Sequence, residues 1–314
     1  MLQPRYDDYD HGITAIDTDY VRPYLDASHL IVRDGRAAFV DTGVNSSVPH
    51  LLAVLERKGI APDQVDYVLV THVHLDHAGG AGQLMQALPN ARLVVHPRGA
   101  RHMIDPQRLI EGSIAVYGAE AFKSMFGEIR PVPAERVIAI SDGEELKLGN
   151  SRLLFIHTPG HAAHHYCIVD YDSNSVFTGD TFGVSYRELD SAKGPIAFVT
   201  STPVQFDPDA LHASIDRLLG FEPQAAYLTH YSRVEDLPRL AAELHQDIDA
   251  YVAIARRAQG TDNPAERIGA GLREYMLGRL EAHGCPLEPD RAAQFLAVDI
   301  TLNTQGLLVW LARQ

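Results

Sequence analysis

Cysteine is nearly absent. Cys167 and Cys285 are the two in 314 residues, too few for a disulfide framework, and nothing in their placement says that they pair. Long apolar runs are missing as well: no stretch approaches the ~20 residues of a membrane span. The opening Met1-Leu2-Gln3-Pro4-Arg5-Tyr6-Asp7-Asp8-Tyr9-Asp10 has no apolar core of the kind a signal peptide needs. Positive charge is scarce. With 27 lysines and arginines against 41 aspartates and glutamates, the formal net charge is −14, which argues against a nucleic-acid partner because phosphate binding calls for a basic face. The expectation left standing is a soluble cytoplasmic protein that binds neither nucleic acid nor membrane. What is present, 46% hydrophobic and 22% charged residues, is ordinary for a globular chain, and the length suits one large domain or a domain with an extension.

The densest chemistry lies in Thr71-His72-Val73-His74-Leu75-Asp76-His77, followed by Ala78-Gly79-Gly80. Three imidazoles and a carboxylate so close together are nitrogen and oxygen ligands of the kind that zinc, iron or manganese takes. Directly before them, Val65-Asp66-Tyr67-Val68-Leu69-Val70 reads as a buried strand, so the histidines stand at a strand's C-terminal end. In extended chain His72 and His74 point the same way, while the turn toward the next helix aims Asp76 and His77 elsewhere. One segment thus offers ligands to two metals. A lone histidine here would read as loop polarity, but this spacing behind a buried strand carries its own structural context. The run resembles the His-x-His-x-Asp-His signature of the metallo-β-lactamase-fold superfamily, which implies an α/β chain folded as a four-layer αββα sandwich around two metals.

Taken in order, residues 13–41 contain Ser28-His29-Leu30-Ile31-Val32-Arg33 and Ala37-Ala38-Phe39-Val40 separated by Asp34-Gly35, a hairpin signal. Asp41-Thr42-Gly43 closes a strand; a plain turn explains it as well as the Asp-x-Gly with which the superfamily supports its metals from behind. Asn45-Ser46-Ser47 is placed to cap a helix over Val48–Lys58, with Leu51, Leu52 and Leu55 at helical spacing. Gly79–Leu88 reads as a short helix and Ala91–Val95 as a strand ending in His96; His96 and His102 are taken as structural or exposed. Residues 97–133 are helical in pattern, an insertion suited to one wall of a substrate pocket. From Arg136 to Ile156 come three short strand-like runs with Asp142-Gly143 and Gly149-Asn150 at the turns, the meander of a β-rich half.

His157-Thr158-Pro159-Gly160-His161 makes a tight Pro-Gly turn after a buried strand and matches the superfamily's second ligand motif. The resemblance therefore carries His161 over as a ligand with His72 and His74, and His165 as support; His164 is read as uninvolved. Val176-Phe177-Thr178-Gly179-Asp180 ends an apolar strand in an aspartate well placed to bridge two cations, and the matching family position is the bridging carboxylate. Residues 181–206 form a long irregular segment holding Tyr186, Arg187, Glu188 and Asp190, the kind of loop that is often functional. Asp207-Pro208 starts a helix running to Leu219. Ala225-Ala226-Tyr227-Leu228-Thr229 is a last strand ending in His230, where the family has its final ligand. Beyond it, Pro238–Gln259, Pro264–His283 and Arg291–Arg313 read as helices. The expected division is a metal-binding domain over residues 1–235 and a helical C-terminal extension over 236–314, serving as a substrate wall or as a homodimer contact.

The resemblance implies one site of His72, His74 and His161, a second of Asp76, His77 and His230, and Asp180 between them. Zinc is the expected metal, with iron or manganese as alternatives. It implies a hydrolase in which a hydroxide between the metals attacks an ester-type bond, a lactone, thioester or related small molecule that is anionic or has a polarisable carbonyl. Asp76 doubles as a proton acceptor. Departures narrow the choice. Asp180 stands where many true β-lactamases have cysteine, and Tyr231-Ser232 follow His230 where glyoxalase II has Glu-Tyr-Thr. Acyl-homoserine lactonases share the ligand set but place a tyrosine where this chain has Gly183, which makes Tyr186 the candidate oxyanion contact. The alternative is a non-haem iron protein that binds or reduces dioxygen or nitric oxide, or oxidises a small thiol-derived substrate. Flavodiiron relatives, however, have Glu at the position of His74. A degenerate binding module would have lost ligands, and all seven are present.

Overall fold

The computed structural model describes residues 2–202 and 204–314. Its strands form two sheets. The first sets β1 (Tyr6–Tyr9), β2 (Ile13–Asp17), β3 (Ala27–Arg33), β4 (Arg36–Val40), β5 (Val65–Leu69), β6 (Arg92–Val95) and β7 (Val137–Ala139) side by side in that order. The second sets β8 (Glu145–Leu148), β9 (Ser151–His157), β10 (Tyr166–Asp170), β11 (Ser175–Gly179), β12 (Ala225–Leu228) and β13 (Ser232–Val234) likewise. Successive side chains on a strand face opposite ways, and the cores follow that rule. Ala38 and Val40 of β4 meet Phe155, Tyr166 and Phe177 between the sheets, while Ala37 and Phe39 turn outward. In the second sheet Cys167 and Val169 face outward and Tyr166 and Ile168 inward.

Parallel neighbours need a crossover, and here β4–β5, β5–β6, β6–β7 and β11–β12 run parallel. The crossovers are helical: α1 (Val48–Arg57), then α2 (Leu75–Ala78) with α3 (Ala81–Ala87), then α4 (Pro97–Ile104), α5 (Gln107–Tyr117) and α6 (Ala119–Phe126), and in the second sheet α7 (Pro208–Leu219). Four more helices, α8 (Leu237–Ala258), α9 (Pro264–His283), α10 (Pro289–Phe295) and α11 (Ala297–Leu311), share one apolar core with α7 and the outer face of the second sheet. The result is the expected αββα sandwich with helices added at its C-terminal end. No helix among the described residues is long and apolar enough to cross a membrane.

Local chemistry accounts for much of this. Asp34 and Gly35 both take positive φ, 48° and 74°, as a two-residue hairpin turn that follows strand twist requires. Asp207 caps α7 through its carboxylate, which accepts from the Ala210 N–H at 3.1 Å, with Pro208 at the first helical position. Elsewhere the sequence reading needs correction. Ser47 caps α1 without a side-chain bond to the helix, and Asn45 donates instead to the carbonyls of Phe126 and Glu128. The run β7 leaves the meander and pairs with β6 in the first sheet. The third predicted C-terminal helix is two, broken at the fully buried Leu296, and both pieces pack on α9.

The added helices are also joined by charge. Arg279 of α9 reaches Asp247 and Glu243 of α8, each at 2.6 Å, and donates to the Ala197 carbonyl at 3.1 Å; Tyr275 donates to Asp247 at 2.9 Å. Burial pushes the Asp247 carboxyl up to about 6 even with the Arg279 charge beside it. Removing one partner strands the other in an apolar surrounding. Arg279→Ala is therefore expected to cost about 3–5 kcal/mol in chemical unfolding, and a loss below ~1 kcal/mol would show that Asp247 finds water or another partner.

Candidate metal centre

Every residue of the centre stands beyond the C-terminal end of a strand. His72 and His74 follow β5, and α2 carries Asp76 and His77; His161 follows β9, Asp180 follows β11 and His230 follows β12. Two glycines permit the close fit. Gly179 has φ 48°, and a Cβ there would lie 2.6 Å from His165 Nε2 and 2.7 Å from Thr71 Oγ1. Gly160 has φ 134°, and its Cβ would lie 2.4 Å from Leu211 Cα in α7. Neither position admits a side chain.

The donor atoms converge in three overlapping groups: His72, His74 and His161; His72, His77 and Asp180; Asp76, His77 and His230. His74 Nδ1 lies 2.8 Å from His72 Nε2 and 3.1 Å from His161 Nε2. Asp180 faces both halves, Oδ2 at 3.4 Å from His161 Nε2, Oδ1 at 3.2 Å from His77 Nε2 and 3.7 Å from His230 Nε2. Asp76 Oδ2 is 3.5 Å from His230 Nε2 and 3.8 Å from His77 Nε2. His74 and Asp76 are partly exposed and the other five are buried, so the centre opens on their side.

A surrounding layer fixes which nitrogen of His77, His230 and His161 points inward. Asp41 Oδ2 accepts from His77 Nδ1 at 2.8 Å, the Leu25 carbonyl from His230 Nδ1 at 3.0 Å, and the Thr200 carbonyl from His161 Nδ1 at 3.3 Å. The Nε2 atoms are thereby left for the centre. Of the two readings of Asp41-Thr42-Gly43, supporting group and plain turn, the geometry selects the first. His165 accepts from the Asp180 N–H at 3.1 Å and pairs with Thr158 Oγ1 at 2.9 Å, the supporting place expected of it. His164 stacks on His72 and belongs to none of the donor groups. His96 caps α4 through its ring, and His102 stands half-buried in α4.

Two buried atoms in the middle, His77 Nε2 and Asp180 Oδ1, lie 3.2 Å apart and make no well-directed hydrogen bond to any other group. Inward lone pairs and carboxylate oxygens this close repel unless positive charge lies among them. The donor set, imidazoles with two carboxylates and a layer orienting them, fits divalent transition metals. Protonation shows the same demand. Burial opposes a charged His77, but the Asp180, Asp76 and Asp41 carboxylates outweigh it and hold its pKa well above the usual imidazole value. His230 is raised to about 9, against burial, by Asp180 and Asp76. Burial and neighbouring imidazoles keep His72 and His74 neutral, well below the ordinary value. Burial would raise the Asp180 carboxyl, yet the surrounding histidines bring it well below the usual range.

Tyr186 lies within reach of the Asp180 charge, but its hydroxyl is turned to another partner. Its hydroxyl donates to Asp299 Oδ1 in α11 at 2.9 Å, and its ring packs edge-on against Phe295 under the Arg22 guanidinium. A phenol carries one O–H, and this one is committed to the half-buried Asp299. The phenols that feel the Asp76 charge are Tyr20 and Tyr117; burial first and Asp76 second push the Tyr117 hydroxyl up to about 12. Tyr117 ends α5 and lines a groove of about 380 Å³ against Val298 and Leu302 of α11. The sequence reading placed a pocket wall in this insertion without singling out that residue, whose signal is an aromatic directly before the helix-ending Gly118.

The model of the metallo-beta-lactamase superfamily matches residues 22–230, and the chain belongs to that superfamily. The metallo-beta-lactamase fold-containing protein ST1585 of Sulfurisphaera tokodaii is 24% identical over 223 residues, 70% of this chain and 77% of that one. Its crystal structure superposes with a TM-score of 0.63 over 76% of this chain and 86% of that chain. The hydroxyacylglutathione hydrolase of Aeromonas hydrophila is 28% identical over 263 residues, 83% of this chain and 75% of the relative. A metallo-beta-lactamase family protein of Thermus thermophilus, TTHA1429, superposes over all of this chain and 93% of its own with a TM-score of 0.62 at 21% identity. At that identity the likeness speaks for the fold.

Two outcomes follow from the geometry. Zinc titrated into metal-free protein at pH 7 is expected to expel on the order of two protons per chain, since His77 and His230 are protonated there. Affinity should then climb with pH toward about 9, the value for His230, as the competing proton leaves. Calorimetry in two buffers of different ionisation enthalpy reads this, and heats independent of buffer would refute it. Asp41→Asn, which disturbs the acceptor of His77 Nδ1, should weaken zinc binding about 10–100-fold with the fold intact by circular dichroism.

Proposed function

We propose that the chain is a dinuclear metal-dependent hydrolase of an ester-type bond in a small molecule, a lactone, thioester or relative of these. The observation that carries the reading is the convergence of seven donor atoms in three overlapping groups, with Asp180 facing both halves. His72, His74 and His161 would hold one cation, Asp76, His77 and His230 the other, with Asp180 between. Zinc is the favoured metal as a redox-inert Lewis acid for hydrolysis; imidazole and carboxylate ligands with no thiolate would take iron or manganese as well. When bound, the ions supply Lewis acidity toward a carbonyl oxygen and lower the pKa of water at the site.

The protein's own groups do the rest. Asp41, Leu25 and Thr200 hold the rings of His77, His230 and His161 with Nε2 inward, which pre-organises that part of the centre. Asp76, 30% exposed in its side chain, stands at the opening as the acceptor for a proton from the attacking water and its carrier to the leaving group. The groove between Tyr117 and α11 suits an apolar arm of the substrate. The relative named hydroxyacylglutathione hydrolase supports a hydrolytic reading, while Tyr231-Ser232 behind His230 separates this chain from a glutathione-specific one.

Metal analysis of protein produced with zinc and with iron, joined to assays on a lactone, a thioester and a phosphodiester, tests the proposal. About two zincs per chain and turnover of a carbonyl ester are expected. The double variant His72→Ala, His74→Ala should lose one metal and roughly a thousandfold or more in rate; full activity in that variant would sink the ligand assignment. A stable iron centre that responds to dioxygen or nitric oxide, without hydrolysis of any of the three, would replace the hydrolase with the redox reading.

A further inference from the structure

The groove between the end of α5 and α11 differs in chemistry from the charged surface around it. Val298, Thr301, Leu302 and Gln305 stand at the i, i+3, i+4, i+7 spacing of one helical face, turned away from the face that buries Ile300, Leu307 and Trp310. Val116 and Tyr117 form the other wall. Val116 is 39% exposed and Val298 67%. No charged side chain among the described residues lines the space between them, in a protein whose formal charge is −14.

Both walls are tied to the metal centre. Tyr117 packs on the apolar cluster that contains Leu75, the residue between His74 and Asp76, on whose side the centre opens. The helix α11 is fixed at two points. Asp299 accepts from the Tyr186 hydroxyl at 2.9 Å, and Asn303 Oδ1 accepts from the Ser201 N–H at 2.6 Å, one residue past the Thr200 carbonyl that orients His161. Gly306 permits that approach, since a Cβ there would lie 1.7 Å from the Ser201 carbonyl oxygen. On the reading of the chain as a hydrolase of ester-type bonds, we propose that this groove takes an unbranched alkyl chain of the substrate, with Val116, Val298 and Leu302 as the specificity-determining residues. The lining offers apolar area and uncharged polar edges, and nothing to pair with a phosphate, a carboxylate or an ammonium group. A volume of about 380 Å³ is that of a small-molecule site. Contact made by a part of the substrate remote from the reacting bond holds the carbonyl in place at that bond, so each methylene laid in the groove raises kcat/KM.

Two ester series test this on zinc-loaded protein. One lengthens the acyl half from acetyl to octanoyl with a common alcohol, and the other lengthens the alcohol from ethyl to octyl on acetate. One series is expected to climb in kcat/KM by about two- to fourfold per methylene, and the one that climbs identifies the half of the substrate lying in the groove. Val298→Asp and Leu302→Asp should each flatten that climb, with zinc content and circular dichroism unchanged. Calorimetric titration with butanoate, hexanoate and octanoate needs no turnover: affinity should rise with length in the parent protein and cease to rise in either variant. Turnover in both series with no dependence on length, and butanoate and octanoate bound alike, would overturn the proposal and leave the hydrolase standing. No turnover of any ester, with length-dependent binding that both variants lose, would instead remove the hydrolase reading and keep the groove as an alkyl site. A climb that persists in both aspartate variants would place the chain elsewhere. Flat series together with a dimer that Val298→Asp dissociates would give this face to a second copy of the chain.

Discussion

The Asp41 carboxylate, fully buried just past β4, accepts from the Thr71 N–H at 2.8 Å, from His77 Nδ1 at 2.8 Å and from Thr229 Oγ1 at 2.7 Å. These donors stand past β5, in α2 and past β12, so one side chain ties the ends of strands from both sheets. Its own backbone sits at φ 56°, a left-handed conformation that aspartate tolerates better than bulkier residues do. The relative position of the sheets and the orientation of His77 are consequently one constraint. Either sheet sliding past the other would leave a buried anion short of donors, which is far more costly than losing an exposed contact.

Around that anchor the centre gathers negative charge and lone pairs in a region from which water is largely excluded. In the bare protein His77 and His230 offset the carboxylates as cations, while His72 and His74 remain neutral. A divalent ion and a proton thus compete for the same electrostatic role. The bonds through Nδ1 of His77, His161 and His230 are compatible with either occupant.

What could be read from sequence was what local chemistry determines. The strand ending at Leu69, the turn at Asp34-Gly35, the cap at Asp207 and the histidines and aspartates at strand ends all follow from short-range pattern. The supporting role of Asp41 was half legible, because its partners Thr71, His77 and Thr229 are supplied by the fold. Less visible were decisions made across the chain. The short edge strands β1 and β13 carry too few apolar residues to announce themselves, and β7 is claimed by β6 only when the first sheet exists. Leu296 breaks a helix that periodicity would continue, and Tyr186 is drawn to Asp299, which lies far along the chain.

The spread of the donors along the chain has a consequence for biogenesis. His72 through His77 emerge together from a ribosome, whereas His230 follows about half of this sequence later, and Asp299, which holds Tyr186, later still. The first sheet can pair from β1 to β7 on its own residues, yet its inner face is covered only when β9, β10 and β11 supply Phe155, Tyr166 and Phe177, and its imidazoles are joined by His161 and Asp180 before His230 arrives after β12. A growing chain thus carries its most metal-avid segment exposed for much of its synthesis. Order of appearance alone makes completion of the centre a late event, coupled to closure of the sandwich rather than preceding it.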